Sequence, residues 1–232
     1  MPGSLVCSEV IVPLFQTAKK ECLPLRWPLS PLRAMALRAR SLGRLQSNRA
    51  ALLVSDVQER FRSILHCFNA VAGSSALLCE GASSLNLPVL VTEQAPEKLG
   101  RTVDEVHSCL PSFSHPPLPK HSFSMLTHGT LAELRQHINV DQVILCGLET
   151  HVCVLQSALD LLSHEYEVHV AADATSSQRE SDRSIALNRM MQSGVFVSSS
   201  EAILMQLVGG ADSETFKPIS KLLKKERDTI GM

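Results

Sequence analysis

The chain has 232 residues, 44% of them hydrophobic and 19% charged, with a formal net charge of −1 at pH 7. These values are typical of one substantial globular domain with a short appendage. The small net charge gives no reason to expect nucleic acid as the main partner. No apolar run approaches the ~18 residues that a membrane span requires, so no membrane partner is expected either.

The cysteines indicate a reducing compartment. There are seven of them, an odd number, scattered along a chain long enough to build its own core. This pattern is typical of free thiols rather than of a disulfide framework. No CxxC pair occurs, which argues against a zinc knuckle or a thioredoxin-type redox pair.

The first fifty residues differ from the rest in charge. Residues 1–49 carry eight Lys or Arg and two Glu, which gives about +6. Two interpretations stay open: a mitochondrial presequence, or a disordered extension upstream of an alternative start at Met35, which is preferred. We predict a basic extension over 1–47, a domain over 48–225 and a tail over 226–232. The predicted location is the cytoplasm, with the mitochondrion as the alternative and the nucleus left open.

From residue 51 onward, strand and helix patterns alternate. Apolar runs typical of buried parallel strands occur at 51–56, 88–93, 142–147, 167–172 and 195–197. Helical patterns lie between them, one ending near 86, others over about 129–137, 150–163 and 179–192, and one beginning at 200. The alternation predicts an α/β fold, a three-layer α-β-α sandwich with a central, mostly parallel, Rossmann-like sheet.

In such sheets the ligand site lies outside the carboxyl ends of the strands. Asp56 ends the first predicted strand, Glu93 and Gln94 end the second, the segment 147–153 follows the third, and Asp173 follows the fourth. These residues are therefore the candidates for chemistry. For Asp173 a helix cap, or an ordering role in the loop at the strand end, is preferred over contact with a substrate.

Cys153 lies in the first turn of a predicted helix, with Thr150 as its expected N-cap. Backbone N–H groups and the helix dipole should lower the pKa of a thiol there, which would make it a nucleophile. A buried structural cysteine is the alternative. Asp56 is either a helix cap or a general base for this thiol. Lys120 is either a solvated loop lysine or the cation that such a pair requires.

Three segments occur in the order and spacing of a known family. They are Asp56-Val57-Gln58, Lys120-x-x-Phe123-Ser124 and the run from Gly147 to Val154. Over about residues 48–225 the chain resembles the isochorismatase-like hydrolase superfamily, which includes nicotinamidases, N-carbamoylsarcosine amidohydrolase and isochorismatase. Within it, the chain is most similar to the animal isochorismatase domain-containing proteins, in particular their second vertebrate paralogue.

The resemblance implies a catalytic triad. Asp56 would deprotonate Cys153, Lys120 would balance the charge, and the thiolate would attack a carbonyl or related carbon. The backbone N–H groups of Glu149 and Cys153 would form the oxyanion hole. The resemblance also implies a cis peptide bond between Leu148 and Glu149.

Two departures from the family narrow the expectation. Nicotinamidases hold a metal through an Asp-x-His-x-x-His run after the second strand, whereas this chain has no histidine between Glu93 and Lys98. No metal and no cofactor are therefore expected, and nicotinamide is a poor candidate substrate. Isochorismatase itself lacks the cysteine nucleophile, so a chain with Cys153 resembles the amidase branch.

The remaining candidates concern the pocket and the partners. Phe61, Gln94, Phe123 and Thr150 are predicted to line the pocket, with core packing as the alternative for the two phenylalanines. The preferred function is a metal-independent cysteine hydrolase of a small amide, carbamoyl or ester substrate. The alternatives are a catalytically silent binding or scaffold protein with a protein partner, and redox sensing by Cys153. A homo-oligomer is expected, because relatives are commonly dimers or tetramers.

Overall fold

A sheet of parallel strands forms the centre of this computed structural model, which describes residues 42–228 and 230. The strands are Ala50–Ser55 (β1), Val89–Gln94 (β2), Leu118–Lys120 (β3), Gln142–Leu148 (β4), Glu167–Ser176 (β5) and Phe196–Ser198 (β6). They lie in the order β3-β2-β1-β4-β5-β6, and each neighbouring pair is parallel. The predicted parallel sheet is confirmed.

The helices cover both faces of the sheet. They are Phe68–Ser84 (α1), Pro96–Leu99 (α2), Asp104–His107 (α3), His128–Gln136 (α4), Leu155–Ser163 (α5), Glu180–Gln192 (α6), Ser200–Val208 (α7) and Phe216–Leu223 (α8). One hydrophobic core lies beneath α1, α7 and α8, and the other lies beneath α4, α5 and α6. The predicted three-layer sandwich is therefore confirmed.

Strand β1 shows why the sheet is buried on both sides. Neighbouring residues of a strand point to opposite faces. Leu52 and Val54 accordingly join the first core, while Ala51 and Leu53 join the second. All six residues of β1 are buried, which explains why its sequence is almost continuously apolar.

The chain changes direction across the sheet at β1. It runs outward from β1 through β2 to β3, and then returns to β4 on the other side of β1. A crevice opens at such a switch point, outside the carboxyl ends of the strands. Gly147 brings β4 close to β1 there, because a Cβ atom at this position would lie 2.0 Å from the carbonyl oxygen of Ser55.

Two features of the fold differ from the sequence prediction. Strand β3 was not predicted, since its three residues include Pro119 and form the edge of the sheet. The chain also packs on the domain beyond the predicted bounds. Leu45 is 3% exposed and Ile230 is 6% exposed, because both apolar side chains join the first core. The predicted extension before residue 42 lies outside the described residues.

Candidate active site

Cys153 lies in a π-helical turn, Thr150–Val154, that joins β4 to α5. Such turns occur often at functional sites. The peptide bond between Leu148 and Glu149, just before the turn, is cis, as the resemblance implied. The prediction that Thr150 is the N-cap is wrong. Thr150 is the first residue of the turn, and the N-cap position is taken by Glu149, whose side chain makes no capping hydrogen bond.

Lys120 ends the edge strand β3 and extends into the interior. Its ammonium nitrogen lies 2.7 Å from Oδ2 of Asp56 and 2.8 Å from Oε1 of Gln94. It also donates to the backbone carbonyls of Phe123 at 3.0 Å and Ser122 at 3.1 Å. The side chain is 0% exposed, so Lys120 is not the solvated loop lysine of the alternative interpretation.

Asp56 directly follows β1 and adopts a left-handed backbone conformation, with φ of 53°. Non-glycine residues in this region cluster at functional sites. The Thr92 hydroxyl donates to Oδ1 of its carboxylate at 2.8 Å, while the Ser55 hydroxyl at 3.1 Å and Lys120 approach Oδ2. The carboxylate therefore faces the interior of the site and does not cap a following helix.

The three side chains of the predicted triad meet in one cluster. The sulfur of Cys153 lies 3.7 Å from the ammonium nitrogen of Lys120, which in turn pairs with Asp56. As whole residues, Cys153 is 6% exposed, Lys120 3% and Asp56 1%. The cluster is therefore almost free of solvent, with the thiol as its most accessible member.

The electrostatics of the thiol differ from the sequence expectation. Burial raises the pKa of Cys153 to about 12, the negative charge of Asp56 adds to the rise, and Lys120 opposes it. Burial likewise raises the pKa of Asp56 against the lowering effect of Lys120. The expected lowering of the thiol pKa by the helix start is therefore wrong, since desolvation outweighs it. Burial therefore favours the neutral thiol in the resting site.

The backbone N–H of Glu149 points to the same sulfur. It forms a hydrogen bond to Cys153 that lowers the thiol pKa, in opposition to burial. A donor of this kind stabilises negative charge that develops at or beside the sulfur. The arrangement can therefore support a nucleophilic thiol with a neighbouring carboxylate, a fixed cation and at least one backbone donor.

A buried glutamine, Gln58, organises the loop beside Lys120. Its side chain donates to the carbonyls of Gln94 and Gly100 and accepts from the backbone N–H of Gln94. The Gln94 side chain then contacts Lys120. Gln58 stands in the Asp56-Val57-Gln58 run that carries the resemblance, but the sequence alone assigned it no role.

Ser157 ties two parts of the site together. Its hydroxyl donates to the carbonyl of Cys153 at 2.6 Å and accepts from the N–H of Met125 at 2.8 Å. It therefore joins α5 to the loop whose carbonyls hold Lys120. A serine inside a helix carries no sequence signal for such a contact, so this residue was missed.

The predicted pocket residues have different surroundings. Gln94 is half-buried and contacts Lys120, Phe61 packs against the first core, and Phe123 is 53% exposed. Thr150 is fully buried, and its hydroxyl lies 2.9 Å from that of Thr175. Thr150 therefore braces the turn and does not line a pocket, which corrects the prediction.

The carboxylate near the end of β2 forms its hydrogen bonds within the protein. Glu93 accepts hydrogen bonds from the N–H and the hydroxyl of Thr102, at 2.7 and 2.9 Å. Within the described part of the chain, no group of three His, Cys, Asp or Glu side chains is placed to hold a metal ion. Asp173 accepts from the N–H of Ser200, the first residue of α7, in agreement with its preferred role as a cap.

The fold and this cluster define the class of protein. Residues 50–202 match the model of the isochorismatase domain family, and the chain belongs to this family. The predicted resemblance is thereby confirmed, and it supports a hydrolase-like protein with the isochorismatase fold.

Particular relatives refine the comparison. Isochorismatase domain-containing protein 2 of Danio rerio is 41% identical to this chain over 82% of the chain and 95% of its own length. The protein of the same name from Xenopus laevis is 39% identical over 83% of this chain and 92% of its own length. A solved structure described as MAR1 ribonuclease from Caenorhabditis elegans is 39% identical, with a TM-score of 0.76, and covers 80% of this chain and 94% of its own.

Proposed function

We propose that this protein is a cysteine hydrolase of a small amide, carbamoyl or ester substrate, with Cys153 as its nucleophile. The observation that carries the proposal is the buried cluster in which the thiol, Asp56 and Lys120 lie together. In this reaction the thiol, not a metal-bound water, attacks the substrate. The family membership supports a hydrolase but does not select the substrate.

The first half of the reaction forms a covalent intermediate. The sulfur of Cys153 bonds to the carbonyl carbon while its proton moves to Asp56, which converts the carbonyl oxygen into an oxyanion. The N–H groups of Glu149 and Cys153 stabilise that oxyanion. Asp56 then gives the proton to the leaving nitrogen or oxygen, the bond from carbon to the leaving group breaks, and a thioester remains.

The second half consumes water. Asp56 takes a proton from a water molecule as the oxygen attacks the thioester, and the sulfur leaves and recovers the proton. The net change is one amide or ester plus one water to one acid plus one amine or alcohol. Lys120 keeps the carboxylate oriented and its charge compensated through both halves.

A raised thiol pKa makes Asp56 necessary. Because the pKa of Cys153 is raised to about 12, few molecules carry a free thiolate near pH 7. Proton transfer to Asp56 must therefore accompany the attack. This separates the proposal from a redox sensor, which requires a stable thiolate.

The test measures alkylation of Cys153 by iodoacetamide between pH 6 and 9 with peptide mass spectrometry. The buried thiol of Cys79 serves as the reference in the same sample. We expect Cys153 to react faster than Cys79, and Asp56→Asn to slow it by roughly 10²-fold or more.

The second experiment is a screen of amides, carbamoyl compounds and esters for turnover. Cys153→Ala should abolish turnover. Cys146→Ala, a control at another buried thiol, should retain it.

Failure of this test favours the scaffold function. A Cys153 that labels no faster than Cys79, together with no turnover in the screen, would leave the fold without its nucleophile. The search would then move to protein partners by crosslinking of the intact chain.

A ribonuclease is the second candidate, supported by solved structures described as MAR1 ribonuclease from C. elegans and as putative MAR1 ribonucleases from Leishmania major and Leishmania donovani. The net charge of −1 gives no overall attraction for a polyanion, while the eight Lys or Arg and two Glu of residues 1–49 give that segment about +6. Incubation of the protein with a labelled single-stranded RNA tests it. Cleavage by the wild type that Cys153→Ala abolishes would place RNA among the substrates of this site.

The homo-oligomer also stays a proposal. Three exposed apolar side chains would be removed from water if they lay between two copies: Ile138 is 95% exposed, Ile185 67% and Phe113 53%. Light scattering of the purified full chain gives the mass directly.

A further inference from the structure

The hydrogen-bonding capacity of Lys120 is fully used within the protein. An ammonium group has three N–H donors. Four oxygen atoms lie within 3.1 Å of the nitrogen: those of Asp56, Gln94, Phe123 and Ser122. The side chain is 0% exposed, so no donor faces solvent. Lys120 therefore has no N–H left with which to bind an anionic group of a substrate.

The charge of the cluster is already balanced. Lys120 contributes one positive charge, Asp56 contributes one negative charge, and the thiol of Cys153 is neutral. Transfer of the thiol proton to Asp56 moves the negative charge to sulfur and leaves the sum at zero. No step of the proposed reaction therefore creates a positive charge that a substrate anion could neutralise.

A carboxylate next to the reacting carbon would be unfavourable in this site. It would enter a nearly solvent-free cluster that already holds the Asp56 carboxylate, and the cation of the cluster is already paired. Both the desolvation of the anion and its repulsion from Asp56 oppose binding, and both effects are large where water is excluded.

We infer that the site selects substrates that carry no charge beside the reacting carbonyl, namely neutral carboxamides or esters, and rejects those with a carboxylate on the adjacent carbon. This inference rests on the proposed function, since it specifies the substrate class of the same nucleophile. Among amides, carbamoyl compounds and esters, it selects those without a charge beside the reacting carbon. This charge preference of the site can be measured without knowing the natural substrate.

The experiment compares two alkylating reagents of almost equal size, iodoacetamide and iodoacetate. In both reactions the sulfur bonds to the CH2 carbon, iodide leaves, and the thiol proton passes to Asp56. Only iodoacetate carries a carboxylate beside the reacting carbon. The measured quantity is the ratio of the iodoacetate rate to the iodoacetamide rate at Cys153, in native protein and in protein unfolded by guanidinium.

The native ratio should fall below the unfolded ratio by at least about tenfold, because the Asp56 charge acts in a medium of low polarity. Asp56→Asn removes the proton acceptor, which slows labelling by both reagents. It also leaves the cluster with a net positive charge, so its ratio should rise several-fold above the wild-type ratio. Asp56→Ser also removes this carboxylate and gives a second variant if Asp56→Asn does not fold. Gln94→Ala still leaves three oxygen acceptors for the three N–H donors of Lys120, so it should keep the wild-type ratio. Gln136→Ala, at an exposed glutamine that bonds to Glu133, should leave it unchanged.

The outcomes separate this inference from the proposed function. Equal ratios in native and unfolded protein, with rapid labelling of native Cys153, overturn the charge selection and leave the hydrolase intact. A low native ratio that neither Asp56→Asn nor Asp56→Ser raises means that shape rather than charge excludes iodoacetate, which also overturns the inference. If native Cys153 reacts with neither reagent, the nucleophile is lost and both proposals fall.

Discussion

The ammonium nitrogen of Lys120 lies 2.7 Å from Oδ2 of Asp56, and neither side chain is more than 1% exposed. A pair this deeply buried costs much desolvation energy to form, and it is expensive to break because a single charge then remains in the interior. Both residues lie at the ends of strands that reach the same edge of the sheet, β1 and β3, with β2 between them. The pair is therefore important for stability as well as for the proposed chemistry.

Substitution Lys120→Met tests this pair. We expect a loss of about 3–5 kcal/mol in the free energy of unfolding at pH 8, since Asp56 keeps its charge without a partner. The loss should be smaller at pH 5. Burial raises the pKa of Asp56 in the folded state, and removal of Lys120 raises it further. The folded variant therefore binds a proton more tightly than the unfolded chain, so it is stabilised at low pH and loses this stabilisation as the pH rises.

Urea unfolding of both proteins at the two pH values gives the comparison. Lys225→Met is the control, because Lys225 also pairs with a carboxylate, Glu80 at 2.6 Å, but is 57% exposed. Its effect should be much smaller and nearly independent of pH over this range. If Lys120→Met lowers the free energy of unfolding equally at pH 5 and pH 8, the loss does not come from an unpaired charge on Asp56.

Gly147 is predicted to tolerate no side chain. At this residue φ is +109°, and a Cβ atom would lie 2.0 Å from the carbonyl oxygen of Ser55 in the neighbouring strand. Gly147→Ala should destabilise the protein by at least about 3 kcal/mol, or prevent its folding, because β4 would have to move away from β1.

Gly194→Ala separates backbone strain from this clash. Gly194 has a similar φ of +97°, but a Cβ atom added there would meet no other atom within 4 Å. The substitution should cost only the strain of that backbone conformation, about 1–2 kcal/mol. The measurement is the midpoint of thermal or urea unfolding, and equal effects of the two substitutions would refute the role given to the Ser55 contact.

Ser157→Ala should remove the connection between α5 and the loop that holds Lys120. The N–H of Met125 is left without its acceptor in a buried position, which costs roughly 1–3 kcal/mol. Ser163→Ala is the matched control, since Ser163 also donates to a carbonyl of α5 but is exposed. It should change the stability by no more than about 0.5 kcal/mol. The measurement is the thermal unfolding midpoint of the wild type, Ser157→Ala and Ser163→Ala in one buffer, and equal shifts of the two variants would contradict the role given to Ser157.

The sequence predicts the central strands well and the edges of the sheet poorly. Strands β1 and β4 are continuous apolar runs because both faces of the sheet are covered, and this pattern is visible in any single sequence. Strand β3 has three residues, one of them proline, so it carries no such pattern. Its pairing with β2 depends on tertiary contacts that the local sequence does not encode.

The sequence named three side chains that lie together in the structure, but it did not predict their electrostatics. Strand ends and the family spacing identify Asp56, Lys120 and Cys153, and the structure brings these three side chains together. The position of Cys153 at a helix start suggested a lowered pKa. Burial has the opposite and larger effect, and burial of a particular sulfur atom is a property of the packed structure. For the same reason Thr150 was assigned to the pocket although it is fully buried.

The buried thiol of Cys146 should make the protein less stable in alkaline solution. Burial raises its pKa from 9.0 to about 12 in the folded state. The stability that this neutral thiol provides is complete below pH 9 and declines as the pH rises toward 12, because the unfolded chain then loses a proton that the folded chain keeps. Between pH 8 and pH 10 the free energy of unfolding of the wild type should fall by about 1 kcal/mol more than that of Cys146→Ala.

Val143→Ala, at another buried position of β4, is the control for the cavity alone. Its free energy of unfolding should differ from that of the wild type by the same amount at both pH values. Urea unfolding at pH 8 and pH 10 measures all three, and parallel losses in wild type and Cys146→Ala would show that this thiol does not titrate with unfolding.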